Sequence, residues 1–354
     1  MDGHAASGAA GELRVAHPGA PGPGPVAPLG REGREQLEDS ILAPGATRAV
    51  GAGSRRLAEE PDPWRTCFER DRDRILHSPA FRRLAGKTQV FIFPADHQRT
   101  RLTHALEVAQ VAGAVARACR MNVALAEAIA LGHDCGHGPG GHASEDALSP
   151  FVEGGFDHAV WGAEVTAFPL NLCRETIDGI KNHSWSRPSP LTPEGEAVAL
   201  ADRIAYSAHD LEDAAHARIV DAGEIPEMVK HLSGDTRSSQ LRAFIGDVVE
   251  TTCRSGTVAM SAEGAAALSA LRRFNYERIY LRPDSLEQSR RVIEMLRALV
   301  EHFARRPGEM PAEYRETAIL GAVGYVAGMT DRYACSQAVA RLDWPADRLP
   351  RGMG

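Results

Sequence analysis

Apolar residues recur at helical spacing through most of the chain after Pro63. Across residues 103–120 they stand at positions 106, 108, 111, 112, 115 and 119, which predicts a helix with a broad apolar face. No segment shows the alternation of a half-buried strand, although residues 88–94 could form a buried loop or one short strand. We therefore predict an all-α fold. Helices are expected over residues 64–77, from Ser78–Pro79 onward, and over 103–120, 125–131, 194–217, 238–254, 262–274, 284–305 and 313–341, the last with a break near Gly328.

The first 60 residues differ in composition from the rest of the chain. They are rich in Gly, Ala and Pro, and they contain few large apolar side chains. Such a segment cannot offset its ordering entropy by burial. We predict a disordered N-terminal extension (1–60), one globular domain (61–345) and a short C-terminal tail (346–354).

The charge balance and the cysteines limit the class of protein. The chain of 354 residues has 40 basic and 47 acidic side chains, so a polyanion site must be a local concentration of Arg and Lys; nucleic-acid binding stays open. No run approaches the ~18 apolar residues of a membrane span, and the N-terminus lacks the features of a signal peptide. The six cysteines form no CxxC pair. These features predict a cytoplasmic protein with no membrane partner.

Three short stretches, residues 99–108, 132–145 and 201–211, concentrate the chemically active side chains. A His-Asp dipeptide such as His133-Asp134 can present an imidazole and a carboxylate to one divalent ion. A second imidazole and a second carboxylate from other helices would complete a mixed nitrogen and oxygen set. Four protein ligands leave positions for water and a phosphoryl oxygen.

Each stretch taken alone also has a simpler interpretation. Asp202, Tyr206 and Asp210 share one helix face, which could be a solvated surface. The loop over residues 138–141 could be a plain connection between helices. However, three imidazoles within ten residues of an Asp and a Glu favour a metal or proton-transfer site.

Taken together and in this order, the three stretches resemble the HD-domain superfamily, and within it the deoxynucleoside triphosphate triphosphohydrolases of the dGTPase-like family. The resemblance extends from about Trp64 to Trp344 and includes motifs at residues 70–84, 87–91, 170–172, 179–184 and 328–334. It implies an HD-domain helical core with additional C-terminal helices. It also implies hydrolysis of deoxynucleoside triphosphates, dGTP among them, to deoxynucleoside and inorganic tripolyphosphate.

The resemblance implies roles for twelve residues. One divalent metal ion per subunit, Mn or Mg first and Fe, Co, Ni or Zn as alternatives, would be held by His104, His133, Asp134 and Asp202. His142, oriented by Glu145, would handle the proton at the leaving oxygen. The substrate would be held by Arg101, Arg203, Tyr206 and His137 around the phosphates and by Gln89 and Asp210 at the sugar.

The family also implies homo-oligomers and activation by a second nucleotide. Gly140 stands where the family carries a bulky Phe, which predicts a more flexible loop. His158 and His183 fall in family motifs but could be structural hydrogen-bonding residues. Two alternatives therefore stay open: a related phosphohydrolase acting on nucleoside monophosphates or cyclic phosphodiesters, or a catalytically decayed nucleotide-binding regulator. The retained His142 and Glu145 oppose the second.

Overall fold

The computed structural model describes residues 3–8, 11–94 and 97–352, and within these ranges the protein is built from helices. Helices make up 61% of the structure, and the described residues contain one small sheet, an antiparallel pair of β1 (His4–Gly8) and β2 (Gly11–Val15). The prediction of an all-α fold is confirmed. The helices are α1 (Arg31–Ile41), α2 (Cys67–Leu76), α3 (Pro79–Arg83), α4 (Arg101–Ala118), α5 (Val123–Gly132), α6 (Ala143–Leu148), α7 (His158–Trp161), α8 (Arg174–Asn182), α9 (Pro193–His216), α10 (Glu227–Ser233), α11 (Arg237–Ser255), α12 (Ala262–Asn275), α13 (Pro283–Arg305), α14 (Ala318–Ala327) and α15 (Asp331–Leu342).

Helix starts follow local capping chemistry. The Thr66 hydroxyl accepts the amide of Glu69, whose carboxylate accepts the Thr66 amide, so α2 begins with a capping box. Ser78 caps α3 and Thr192 caps α9, each followed by a proline in the first turn. The sequence does not predict α1, α6, α7, α8 and α10, because helices of 4 to 11 residues contain too few turns to show a period.

Three clusters of buried apolar side chains form the core of the protein. The first buries the facing sides of α4, α5 and α9, with Val108, Ile129 and Ile204 fully inaccessible. The second packs α6 against α13, α14 and α15. The third, smaller cluster joins α2 to the end of α5 and to α8. The glycine-rich loop between α5 and α6 therefore connects the first cluster to the second.

The predicted disorder of residues 1–60 does not hold for the part from α1 onward. Ala46 and Ala49 are buried in the first cluster. Arg55 forms an ion pair with the fully buried Asp71 at 2.6 Å, and its guanidinium also donates to the carbonyl of Asn171. Composition misses this ordering because the segment is held by polar contacts to partners far along the chain.

Three further features concern the C-terminal residues, the membrane and the cysteines. Residues after α15 return along α13, where Arg291 donates to the carbonyls of Asp347 (2.5 Å) and Leu349 (3.1 Å). Among the described residues, no helix combines the length and the apolar character needed to cross a bilayer. The six cysteines are free thiols.

Candidate active site

The four residues predicted as metal ligands come together from three helices. His104 lies on α4, Asp202 on α9, and His133 and Asp134 follow the end of α5. The Nε2 atom of His104 is 3.0 Å from Asp202 Oδ1, and that of His133 is 3.7 Å from the same oxygen. The distance from His133 Nε2 to Asp134 Oδ1 is 3.5 Å. Donor atoms this close can surround a single cation, since each ligand lies about 2 Å from a divalent metal.

The hydrogen bonds of His133 suit this residue to bind a cation. Its Nδ1 donates to the carbonyl of Ala130 at 2.6 Å, which leaves the Nε2 lone pair facing the cluster. Within the described part of the chain, Nε2 is buried without a hydrogen-bond partner. A buried polar atom left in this way is destabilising unless a ligand satisfies it. The donor set therefore fits a divalent ion.

The two carboxylates of the cluster are held in their charged form. Burial raises the pKa of Asp134, but the Arg101 guanidinium, whose Nη1 lies 2.6 Å from Oδ2, and the neighbouring His133 outweigh burial and hold that pKa well below its usual range. For Asp202, burial also raises the pKa, and the hydrogen bond from His104 leads the opposing contributions that lower it. Both groups thus present negative charge at neutral pH.

Glu145 orients two imidazoles beside this cluster. Its Oε2 is 2.9 Å from Nδ1 of His142, and its Oε1 is 2.7 Å from Nδ1 of His158. Burial raises the pKa of Glu145, but the hydrogen bonds from the two histidines outweigh it and leave that pKa well below normal. The His142 side chain is 75% exposed, so its Nε2 remains accessible to a bound molecule.

His158 and His183 belong to the same cluster of histidines. The ring of His158 stacks on that of His137, with centroids 3.7 Å apart, and its Nε2 lies 3.3 Å from Nε2 of His183. Burial lowers the pKa of His183 to about 3, so this imidazole is neutral. Sequence reasoning left both residues without a site role. Their presence in motifs resembling the family was the signal that pointed to them.

Cationic side chains surround the metal-ligand cluster in a cavity of about 240 Å³. Among the described residues, Nε and one terminal nitrogen of Arg101 are buried without a hydrogen-bond partner. The Nε atom of Arg203 is also buried without one. Arg203 lies 4.2 Å above the Trp185 ring, and burial lowers its pKa. Arg272, which sequence reasoning missed, donates to the Tyr206 hydroxyl at 2.5 Å. The cavity is therefore suited to a polyanion.

A second cavity of about 270 Å³ adjoins the first, and both are lined by Gln89, His142 and Tyr206. Asp210 lies on its wall, where it is paired with Arg99 and accepts a hydrogen bond from the Tyr280 hydroxyl. Burial raises the pKa of Asp210. Gln89 and Asp210, which are predicted to contact the sugar, therefore line a cavity next to the one that contains the cationic side chains.

Gly140 has a specific structural role in the loop that carries His142. Its φ is +74°, and a Cβ at this position would lie 2.5 Å from Cγ1 of Val292. The amide of Gly138 donates to the Ser144 hydroxyl at 3.0 Å, and that of Gly140 donates to Asp331 at 2.9 Å. These contacts argue against the flexible loop predicted from the glycines.

Comparison with protein families agrees with this arrangement of helices. Residues 101–207, which contain the four predicted metal ligands, match the model of the HD domain. Residues 258–339 match the model of the phosphohydrolase-associated domain. Together they describe an HD-domain phosphohydrolase with additional C-terminal helices.

Relatives of similar length give the narrower family. The chain is 40% identical over 319 residues to a deoxyguanosinetriphosphate triphosphohydrolase-like protein of Caldanaerobacter subterraneus subsp. tengcongensis, covering 86% of this chain and 93% of that protein. A protein of the same description from Clostridium perfringens (strain SM101) is 40% identical over 327 residues, covering 86% and 94%. The chain belongs to this dGTPase-like family of HD-domain phosphohydrolases.

A solved structure supports the fold. A hypothetical protein from Aquifex aeolicus, 18% identical in sequence, superposes with a TM-score of 0.52 and covers 78% of this chain and 69% of its own.

Proposed function

We propose that this protein hydrolyses deoxynucleoside triphosphates, dGTP among them, to deoxynucleoside and inorganic tripolyphosphate. The observation that carries the proposal is the combination in one cleft of the predicted metal ligands, the Glu145-oriented His142 and cationic groups with buried nitrogens that lack a partner among the described residues. A triphosphate supplies the negative charge that these cations need.

One divalent ion per subunit, Mn or Mg in the first place, would be held by His104, His133, Asp134 and Asp202. When bound, such an ion acts as a Lewis acid on a phosphoryl oxygen and as a template for water. The ligand residues themselves contribute a buried, rigid donor set whose carboxylates are already charged.

The remaining residues would hold the substrate and transfer the proton. Arg101, Arg203 and Arg272 neutralise the phosphates, with Tyr206 and His137 beside them. Glu145 accepts a hydrogen bond from the Nδ1–H of His142 and so directs Nε2 to the leaving oxygen of the nucleoside. In the adjoining cavity, Gln89 and Asp210 contact the sugar, where a close fit excludes a 2′-hydroxyl.

A product assay tests this function directly. Purified protein is incubated with each dNTP and, as a control, each ribonucleotide, in the presence of Mn²⁺ or Mg²⁺, and the phosphate products are separated by anion exchange. We expect tripolyphosphate from the deoxynucleotides. Release of pyrophosphate or single phosphate would contradict the proposed cleavage position.

Two other functions are separated by the same assay with added substrates. Turnover of deoxynucleoside monophosphates or a cyclic dinucleotide, without turnover of dNTPs, would indicate the related phosphohydrolase. Nucleotide binding without turnover of any dNTP, alone or mixed, would indicate a decayed regulator.

We also propose that the protein is a cytoplasmic homo-oligomer and that a second nucleotide activates it. Large apolar side chains remain exposed on α14 and α15, namely Ile319, Leu320, Tyr333 and Val339, each between 44% and 51% accessible. Light scattering with and without added dNTP measures the subunit number, and a single mass equal to one chain under both conditions would contradict the oligomer.

A further inference from the structure

Asp331, the first residue of α15, connects three separate parts of the chain. Its carboxylate is buried, with 6% of the residue accessible. Oδ2 accepts the amide of Thr88 at 2.9 Å and the Thr88 hydroxyl at 2.5 Å, while Oδ1 accepts the amide of Gly140 at 2.9 Å. Each oxygen therefore holds a different segment.

Both segments carry side chains of the candidate site. Thr88 immediately precedes Gln89, and Gly140 lies two residues before His142; Gln89 and His142 line both cavities. Lys87 reinforces the connection, since its ammonium donates to the carbonyl of His137 in the loop and to that of Ala327 at the end of α14. Asp331 itself does not line either of the two cavities.

We propose that Asp331 is a positioning residue, which sets the loop carrying His142 against the segment carrying Gln89. This inference rests on the proposed function and extends it, because it gives a part in the reaction to the region that matches the phosphohydrolase-associated domain. Proton transfer and sugar recognition must act on one bound nucleotide at the same time. A displacement of about 1 Å between the two segments lowers turnover by as much as ~10²-fold.

The chemistry of the carboxylate explains why this residue is an aspartate. All three partners of Asp331 are donors, and an ionised carboxylate is an acceptor at both oxygens. An asparagine has one oxygen and one NH₂ group, so in either orientation the NH₂ would oppose a backbone N–H. The substitution Asp331→Asn therefore disrupts one of the two connections while nearly preserving size.

Kinetics and hydrogen exchange together test the role. In Asp331→Asn we expect kcat for dNTP to fall by about 10- to 100-fold, bound metal to be retained, and the preference for deoxynucleotides over ribonucleotides to weaken. Amide exchange, followed by mass spectrometry, should accelerate in peptides covering residues 88–93 or 138–145. A folded Asp331→Asn protein with wild-type kcat and wild-type exchange would overturn the proposal.

A matched pair at Thr88 covers the case in which Asp331→Asn does not fold. Thr88→Ser retains the hydroxyl donated to Asp331, whereas Thr88→Val removes it at similar size. We expect Thr88→Val to raise KM and weaken sugar discrimination and Thr88→Ser to resemble the wild type; equal behaviour of the two would contradict the role. If the wild-type protein releases no tripolyphosphate, the proposed function fails, while the exchange comparison still decides whether Asp331 holds the two segments.

Discussion

His142 differs from the other imidazoles of the candidate site in its exposure. His104, His133, His137 and His183 are buried, whereas the side chain of His142 is 75% exposed. Nδ1 of His133 is bonded to the carbonyl of Ala130, and a buried imidazole held in this way has a fixed tautomer and suits a metal ligand. An accessible imidazole held by a carboxylate can exchange a proton with a bound molecule and with solvent. The roles proposed for His133 and His142 therefore follow from their surroundings.

The substitution His142→Ala should separate proton transfer from metal binding. We expect turnover to fall by roughly 10²–10⁴-fold, the usual effect of removing one proton-transfer group. The metal content should be unchanged, because His142 lies outside the metal-ligand cluster. Steady-state kinetics and elemental analysis of the same preparation measure the two effects, and a native turnover rate would show that the assigned role is wrong.

Lys87 is a buried residue whose charge is sensitive to pH. Burial, followed by the positive charge of Arg83, lowers its pKa to about 7. In the unfolded chain a lysine titrates near 10.4. Between about pH 7 and 10 the unfolded state therefore binds more protons than the folded state, so the contribution of Lys87 to the free energy of unfolding increases as the pH rises through this range.

A comparison of wild type with Lys87→Met at two pH values checks this sign. From pH 7.5 to pH 9.5, we expect the free energy of unfolding of the wild type to increase relative to that of the variant, by up to about 1.4 kcal/mol per pH unit. Denaturant titrations give both values. Lys230→Met, on α10, is a control that keeps Lys87, so its free energy of unfolding should change with pH as that of the wild type does. A parallel response of all three proteins would refute the assignment.

At the scale of elements, the segment following α1 acts as part of the folded domain. Glu194, in the first turn of α9, accepts the amide of Thr47 at 3.0 Å, the Thr47 hydroxyl at 2.7 Å and the amide of Asn122 at 2.9 Å. Its negative charge also lies at the helix end where the dipole favours it. The segment therefore helps to hold the helix that carries Asp202.

Two truncations distinguish this segment from the residues before it. Removal of residues 1–29 should leave the melting temperature nearly unchanged, since most described residues of this stretch are exposed. Removal of residues 1–56 takes Arg55 from the buried Asp71 and Thr47 from Glu194, which destabilises by about 1–3 kcal/mol for each group. We expect a loss of several degrees in calorimetry, and equal melting temperatures for the two truncations would contradict the structural role.

At the scale of the whole molecule, the metal-ligand cluster joins parts of the fold that are far apart in the chain. His104 and Asp202 are separated by 98 residues and lie on different helices of the first apolar cluster. A ligand that binds only when these helices are packed stabilises the folded state. Metal binding should therefore be visible in global stability.

Thermal unfolding with and without Mn²⁺ tests this coupling. At a concentration 100 times the dissociation constant, the ion should stabilise the wild type by about 2.7 kcal/mol, and a chelator should reverse the increase in melting temperature. Asp202→Asn should lose most of the response, while Asp343→Asn, which changes an exposed carboxylate after α15, should keep it. An identical response of the two variants would place the metal elsewhere.

The longer helices were predictable because their apolar spacing is a local property. The expected helix over residues 194–217 corresponds to α9 within one residue at each end, and the break near Gly328 separates α14 from α15. Residues 31–59 were not predictable, because their order depends on Asp71 and Glu194, which lie elsewhere in the chain. The roles of Arg272 and His158 at the cleft depend in the same way on contacts between distant segments.

Sequence alone thus determined the fold class, the longer helices and the family that the motifs resemble, because each depends on the identity and spacing of residues that are close together in the chain. Only the tertiary structure decided which polar groups share a cleft, how Glu145 divides its oxygens between two histidines, and that Asp331 joins the loop to the segment before Gln89. The physical reason is that hydrogen bonds and ion pairs act over about 3 Å, and the packing of helices, not their order in the chain, brings such groups within that distance.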